Sequence, residues 1–161
     1  MFEGSQVAAT LNELGVTHVT TVPDTTIGPW LPEIRAVGVD VVQVCREGEA
    51  WGVAAGLYLG GASPLILIQC TGLFESGDAL RNTLHDFRLP LYAMIGYRSF
   101  LSQASLPGDT CLKFTEPIID AWQVDSRFFQ EPSQLDELAE HYRSCRDAGR
   151  AGIGLFAEGK A

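Results

Sequence analysis

The sequence is poor in basic residues and has no long hydrophobic run, and each shortage excludes a class of protein. Lysine and arginine total 11 against 20 aspartates and glutamates, which gives a formal net charge of −9. The basic residues are scattered, so no face is predicted to follow the phosphates of a nucleic acid or the surface of an anionic membrane. The longest apolar runs, such as residues 65–68, have the length of a strand, and no segment is predicted to span a bilayer.

Cysteine is also scarce, and its spacing argues against the usual zinc and dithiol motifs. The four cysteines are Cys45, Cys70, Cys111 and Cys145. No two of them form a Cys-x-x-Cys pair, and the three histidines show no ligand spacing, so no metal site is expected in this chain. The first residues lack the basic and apolar stretches of a signal peptide. We therefore expect free, buried thiols in a cytoplasmic protein.

Hydrophobic patterns alternate between the strand period and the helix period along the whole chain. Strands are predicted at 16–22, 39–44, 65–69, 91–95, 123–126 and 152–156. Helices are predicted at 7–14, 27–37, 47–59, 73–86, 113–122 and from Pro132 onward. This alternation favours an α/β fold, a three-layer α/β/α sandwich with a six-stranded parallel sheet. The length of 161 residues suits a single domain.

Three segments follow predicted strands and are interpreted as loops. They are residues 22–26, 45–48 and 69–75, which read Val-Pro-Asp-Thr-Thr, Cys-Arg-Glu-Gly and Gln-Cys-Thr-Gly-Leu-Phe-Glu. Ligands of open parallel sheets bind outside the carboxyl ends of the strands. We therefore expect residues of these segments to converge at one edge of the sheet.

The start of the third predicted helix carries the most informative residues. Glu47 leads directly from a strand into a helix whose interior contains Gly52 and Gly56. Each interior glycine costs about 1 kcal/mol relative to alanine, and such a helix allows a backbone or a ligand to approach closely. A glutamate in a first helical turn is also favoured by the helix dipole alone. Glu47 by itself leaves both explanations open.

Taken together, three motifs resemble the pyrimidine-binding (PYR) domain of thiamine-diphosphate-dependent 2-oxoacid decarboxylases. The motifs are Val22-Pro23-Asp24, Arg46-Glu47-Gly48 and the Gln-Cys-Thr-Gly-Leu segment at 69–73. Within that family the chain is similar to the alpha subunit of sulfopyruvate decarboxylase and to the N-terminal domain of phosphonopyruvate decarboxylase. The resemblance runs from about Gly15 to Phe156, and the family's PYR domain has a six-stranded parallel sheet.

The resemblance implies a catalytic role for Glu47. In the family this glutamate hydrogen-bonds the N1′ atom of the cofactor's aminopyrimidine and favours the imino tautomer, whose 4′-imino group removes the C2 proton of the thiazolium. The resemblance also implies that Pro23, Thr71, Gly72 and Phe74 contribute to the cofactor pocket. For Thr71 and Gly72 a simple strand-to-helix turn is the alternative, and for Phe74 it is core packing. Glu49, two residues beyond Glu47, points to another face of the helix and is expected to be structural or at an interface.

Thr25 falls where related decarboxylases place a polar residue that faces the substrate. Its hydroxyl is suited to hydrogen-bond a substrate carboxylate. The alternative is that Thr25 stabilises the turn or caps the following helix.

The third motif departs from the family at Phe74 and Glu75, where Gly-Asn is usual. We expect a bulkier and more acidic loop, which puts the dianionic substrates sulfopyruvate and phosphonopyruvate in doubt. Arg46, Arg81 and Arg98 are the candidate counter-charges.

The family's diphosphate site has no counterpart in this sequence. In the family a Gly-Asp-Gly motif and a downstream asparagine hold a divalent metal against the phosphates. Here Gly77-Asp78-Ala79 and Gly108-Asp109-Thr110 lack the second glycine, and the asparagines are Asn12 and Asn82. The resemblance therefore implies that residues 1–161 form a single PYR domain. Thiamine diphosphate would be shared with a beta subunit that holds Mg²⁺, in an α2β2 or larger assembly.

Three other interpretations stay open. The first is a non-catalytic regulatory or binding module that retains the PYR fold. The second is half of a carboligase similar to acetolactate synthase. An unrelated flavodoxin-like domain that binds a mononucleotide is the third, and it is disfavoured because no phosphate-cradling loop follows Val22. The identity of the 2-oxoacid does not follow from the sequence.

Overall fold

The structure is a computed structural model that describes residues 1–159, in which six strands alternate with six α-helices. The strands are β1 (His18–Thr21), β2 (Asp40–Gln43), β3 (Pro64–Gln69), β4 (Tyr92–Tyr97), β5 (Asp125–Phe129) and β6 (Gly152–Ala157). The helices are α1 (Gly4–Glu13), α2 (Leu31–Ala36), α3 (Glu47–Leu59), α4 (Cys70–Arg81), α5 (Cys111–Trp122) and α6 (Leu135–Asp147).

All six strands are parallel and form one sheet in the order β2-β1-β3-β4-β6-β5. The three strands β3, β4 and β6 are buried almost throughout, as expected for near-continuous apolar runs covered on both faces. The edge strands β2 and β5 are more exposed. This arrangement confirms the α/β class with a six-stranded parallel sheet.

Two hydrophobic clusters cover the two faces of the sheet. One contains Leu11 of α1, Ile34 of α2 and Tyr142 of α6. The other contains Trp51 of α3 and Leu73 of α4. Because α3 and α4 pack against each other on one face, the residues that open these two helices lie side by side above the carboxyl ends of the strands.

The predicted loop at 69–75 is wrong, since α4 begins at Cys70 directly after β3. Its glycine and threonine suggested a turn, but Gln69 alone is extended there, and helical backbone follows at once. The same helix continues into a π-helical turn at Asn82–Asp86. The fifth strand lies later than predicted, because Gln123 adopts a left-handed conformation that ends α5 before Asp125 starts β5.

Within residues 1–159 no helix combines the length and the apolar character that a membrane crossing would require.

Candidate functional site

Glu47 is the first residue of α3, and its half-buried side chain lies over Gly72 of α4. A β-carbon built on Gly72 would lie 2.8 Å from both Cδ and Oε1 of Glu47, closer than real β-carbons approach. Any residue larger than glycine at 72 would therefore displace the carboxylate. The structure thus brings together two of the residues that the sequence marked for the cofactor site.

The carboxylate of Glu47 has no hydrogen-bond partner within residues 1–159. The capping of α3 is done instead by Glu49, whose Oε2 accepts the backbone N–H groups of Cys45 (3.0 Å) and Arg46 (3.2 Å). Glu49 is therefore structural, as expected, and Glu47 is left available for a ligand.

Glu75 ties the start of α3 to α4. Its Oε2 accepts the backbone N–H of Gly48 at 2.8 Å, and its Oε1 accepts the Nε of Arg46 at 2.8 Å. The Gly48 N–H and then Arg46 lower the pKa of Glu75 below its usual value. Glu75 was expected to make this segment more acidic, and the structure shows that its charge is paired with Arg46 and the Gly48 N–H.

The arginines considered as counter-charges are mostly engaged elsewhere. Arg46 binds Glu75, and Arg81 forms ion pairs with Asp78 and Asp86. Arg98 lies 3.3 Å from Asp109 and lines a cleft at the carboxyl ends of the strands.

That cleft has a volume of ≈ 1620 Å³ and contains the segment after β1. Pro23 and Thr25 line it with exposed side chains. The turn is capped by Asp24, whose Oδ1 accepts the N–H groups of Thr26 and Ile27, both at 2.8 Å. Thr25 is thus not needed as the cap, and its side chain is exposed in the cleft.

Glu158, directly after β6, is a cleft residue that sequence reasoning missed. Its side chain is buried against Gly96, and it is only 4% exposed. Oε2 accepts the Nε2 of Gln69 at 3.2 Å, whereas Oε1 has no hydrogen-bond partner in the described part of the chain. Burial, and then the negative charge of Asp24, raise the pKa of Glu158 to about 7. The available signal was an acid placed immediately after a fully apolar strand.

The two remaining predicted residues, Thr71 and Phe74, have different surroundings. Thr71 donates to Oε1 of Gln69 at 3.2 Å, and Gln69 in turn donates to Glu158, so Thr71 is connected to the cleft. Phe74 packs against the hydrophobic cluster of α3 and α4 instead. Phe74 is only partly buried, so its contribution to the cofactor pocket stays a prediction beside this core packing.

These features agree with the comparison with known families. The family described as thiamine pyrophosphate enzyme, N-terminal TPP binding domain, matches residues 3–97. The chain belongs to this family, which confirms the resemblance that the three motifs suggested.

The chain is similar to two kinds of decarboxylase. It is 28% identical over 148 residues to phosphonopyruvate decarboxylase of Streptomyces viridochromogenes, covering 91% of this chain and 37% of that protein. It is 25% identical over 142 residues to sulfopyruvate decarboxylase subunit alpha of Methanococcus maripaludis, covering 88% of this chain and 81% of that subunit. The chain thus spans well under half of the first relative and most of the second.

The fold is shared with a much larger enzyme. Over 98% of this chain and 29% of the other, the structure matches 2-oxoglutarate:ferredoxin oxidoreductase from Magnetococcus marinus with a TM-score of 0.66. The sequence identity is 12%, so this likeness concerns the fold alone.

The residues at the start of α3 and α4 fit the pyrimidine end of thiamine diphosphate. The unpaired carboxylate of Glu47 is suited to share a proton with a ring nitrogen, and the bare backbone of Gly72 leaves space for that carboxylate. The sequence contains no Gly-Asp-Gly motif followed by an asparagine, which is how the family holds the diphosphate group through a metal.

Proposed function

We propose that this chain is the pyrimidine-binding subunit of a thiamine-diphosphate-dependent enzyme that decarboxylates a 2-oxoacid. The observation that carries the proposal is the carboxylate of Glu47, half-buried above Gly72 and without a hydrogen-bond partner in the described residues. A non-catalytic module would have no use for a carboxylate held in this way.

Glu47 is placed to share a proton with the pyrimidine ring nitrogen, and the contacts at the start of α3 keep its backbone in position. Glu49 caps the helix, while Glu75 binds the Gly48 N–H and Arg46 on the neighbouring turn. Thiamine diphosphate supplies the electron sink on which a 2-oxoacid loses CO2. This chain contributes orientation and a proton-exchanging group.

The diphosphate and its Mg²⁺ are held by a partner subunit in this proposal. Two observations support it: this chain lacks the family's metal motif, and the chain covers 81% of a relative that is named as subunit alpha. Such a relative implies a second subunit. The active site then lies between the two chains, and residues 1–161 act as one PYR domain.

The substrate enters the cleft that Thr25 lines. Among the described residues 1–159, four carboxylates, those of Glu3, Asp24, Glu33 and Glu158, line this cleft together with one arginine, Arg98. Arg98 already lies beside Asp109. A doubly charged substrate such as sulfopyruvate or phosphonopyruvate therefore requires counter-charges from the partner subunit, whereas a singly charged 2-oxoacid does not.

Reconstitution tests this proposal. The chain is purified alone and together with a partner that carries Gly-Asp-Gly and a downstream asparagine, and thiamine diphosphate binding is measured by calorimetry with Mg²⁺. We expect weak binding by the chain alone, tight binding by the complex, and CO2 release from a panel of pyruvate, sulfopyruvate and phosphonopyruvate. A complex that binds the cofactor but releases no CO2 from any 2-oxoacid contradicts the proposal. Formation of acetolactate from pyruvate identifies a carboligase instead.

A further inference from the structure

Three side chains able to bind a metal lie together at the edge of the sheet opposite the cleft. Asp125 is the first residue of β5, and His141 and Cys145 lie one turn apart on α6. A spacing of four places both side chains on the same face of the helix. One ligand atom from each residue lies within 4.8 Å of the other two. The residues thus meet at the amino end of β5, away from the residues proposed for catalysis.

The two separations that involve His141 Nε2 resemble those between ligand atoms around one tetrahedral zinc ion, and the separation between Cys145 and Asp125 is longer. His141 Nε2 lies 3.3 Å from Asp125 Oδ1 and 3.6 Å from Cys145 Sγ. The Sγ atom lies 3.9 Å from Asp125 Oδ2. Zinc bonds of about 2.0–2.3 Å at tetrahedral angles place neighbouring ligand atoms about 3.3–3.6 Å apart. Small side-chain adjustments would bring all three atoms to one ion.

The arrangement differs from a nucleophilic Cys-His-Asp triad. In a triad the nucleophile and the carboxylate use different nitrogens of the histidine. Here Asp125 and Cys145 both face Nε2 of His141, while Nδ1 lies 2.7 Å from the hydroxyl of Tyr92. The carboxylate and the thiol thus lie on the same side of the imidazole ring, where all three side chains could contact one metal ion.

The surroundings suit a metal ligand set. Tyr92 is able to accept the Nδ1–H of His141, which orients the ring and leaves the Nε2 lone pair for a metal. Arg150 lies 2.8 Å from Oδ2 of Asp125 and holds the carboxylate from the outside. Asp125 and Arg150 also line a cavity of ≈ 300 Å³ beside the cluster.

We propose that Asp125, His141 and Cys145 form a zinc site whose fourth position is open to water. Cys145 binds as the thiolate and releases its proton to solvent when the ion enters. This departs from the sequence-based expectation that the chain holds no metal, because Asp125 reaches the helix only through the fold. The site links β5 to α6 and stabilises this edge of the structure.

Metal titration of the full chain tests the site. The protein is freed of metal with a chelator and titrated with Zn²⁺ by calorimetry, and with Co²⁺ by absorption spectroscopy. We expect one Zn²⁺ per chain, a higher Tm with Zn²⁺, and a near-ultraviolet charge-transfer band for Co²⁺ bound to a thiolate. Tyr92→Phe should weaken binding about 10–100-fold, as loss of an outer-shell partner does.

Matched variants separate this site from adventitious binding. Cys145→Ala and His141→Ala should each weaken Zn²⁺ binding by more than Tyr92→Phe does. Cys145→Ser, which preserves the side-chain size if Cys145→Ala fails to fold, should abolish the charge-transfer band. Cys45→Ala, at an exposed position outside both the cluster and the adjoining cavity, should leave the affinity unchanged. A wild-type chain that binds no Zn²⁺, or a Cys145→Ser variant with an unchanged band, would show a hydrogen-bonded cluster only and overturn the proposal.

Discussion

The carboxylate of Glu47 and the backbone of Gly72 are in direct contact, although 24 intervening residues separate them in the sequence. The contact joins the first turn of α3 to the first turn of α4. Since a β-carbon on residue 72 would lie 2.8 Å from Glu47 Oε1, glycine at 72 is what allows the carboxylate to occupy this position.

Gly72→Ala should therefore disturb the site more than the helix. We expect turnover of the reconstituted enzyme to fall about 100-fold, because the added methyl group displaces Glu47 from its position. The matched control is Gly77→Ala on the same helix, where a β-carbon meets nothing within 4 Å. That variant should keep its activity and gain up to about 1 kcal/mol in free energy of unfolding. Equal turnover in the two variants would show that the position of Glu47 does not matter.

Glu75→Gln tests the connection between α3 and α4. The amide still accepts from the Gly48 N–H but loses its charge interaction with the exposed Arg46, so we expect only a small decrease in the free energy of unfolding. The pKa of Glu75 is lowered in the folded state, so this contribution is present above pH 4.5, its ordinary value, and disappears as the pH falls through the lowered value. Urea unfolding of wild type and variant at pH 7 and pH 3 measures the difference. A difference that grows in acid would contradict this assignment.

Glu158→Gln should stabilise the protein at alkaline pH. The pKa of Glu158 is raised from 4.5 to about 7 in the folded state, so ionisation disfavours folding as the pH rises from 4.5 through about 7. The neutral amide avoids this cost, and we expect a gain of up to about 3 kcal/mol in the free energy of unfolding at pH 8. Near pH 4 the carboxyl is protonated in both states, and the difference should vanish. A variant that is less stable than wild type at pH 8 would show that Glu158 has a cationic partner.

Local sequence patterns were sufficient to predict the order of helices and strands and some of the residues of the candidate site. The bounds of α3 were predicted because Glu47 follows a strand and Gly60-Gly61 ends the helix. The family followed from three short motifs and is confirmed. The roles of Glu47, Pro23, Thr25, Thr71 and Gly72 stay predictions, although the structure brings Glu47 and Gly72 into contact.

Contacts between residues that are far apart in the sequence could not be predicted from local patterns. Gln69 and Glu158 are 89 residues apart and meet only because β3 and β6 end at the same edge of the sheet. Gly72 was assigned to the cofactor pocket, with a strand-to-helix turn as the alternative, but its contact with Glu47 was not foreseen. The partner of Glu75 was equally hidden, because Arg46 lies on a different strand-to-helix connection.

The most direct measurement compares Glu47→Gln with Glu49→Gln in the reconstituted enzyme. Both variants replace one carboxylate by an amide in the first turn of α3, but Glu49 only caps the helix, and its amide is still able to accept the Cys45 and Arg46 N–H groups. We expect CO2 release to fall about 10²–10⁴-fold for Glu47→Gln and to change little for Glu49→Gln, with both variants still assembling with the partner. Full turnover by Glu47→Gln would show that this carboxylate does not activate the cofactor.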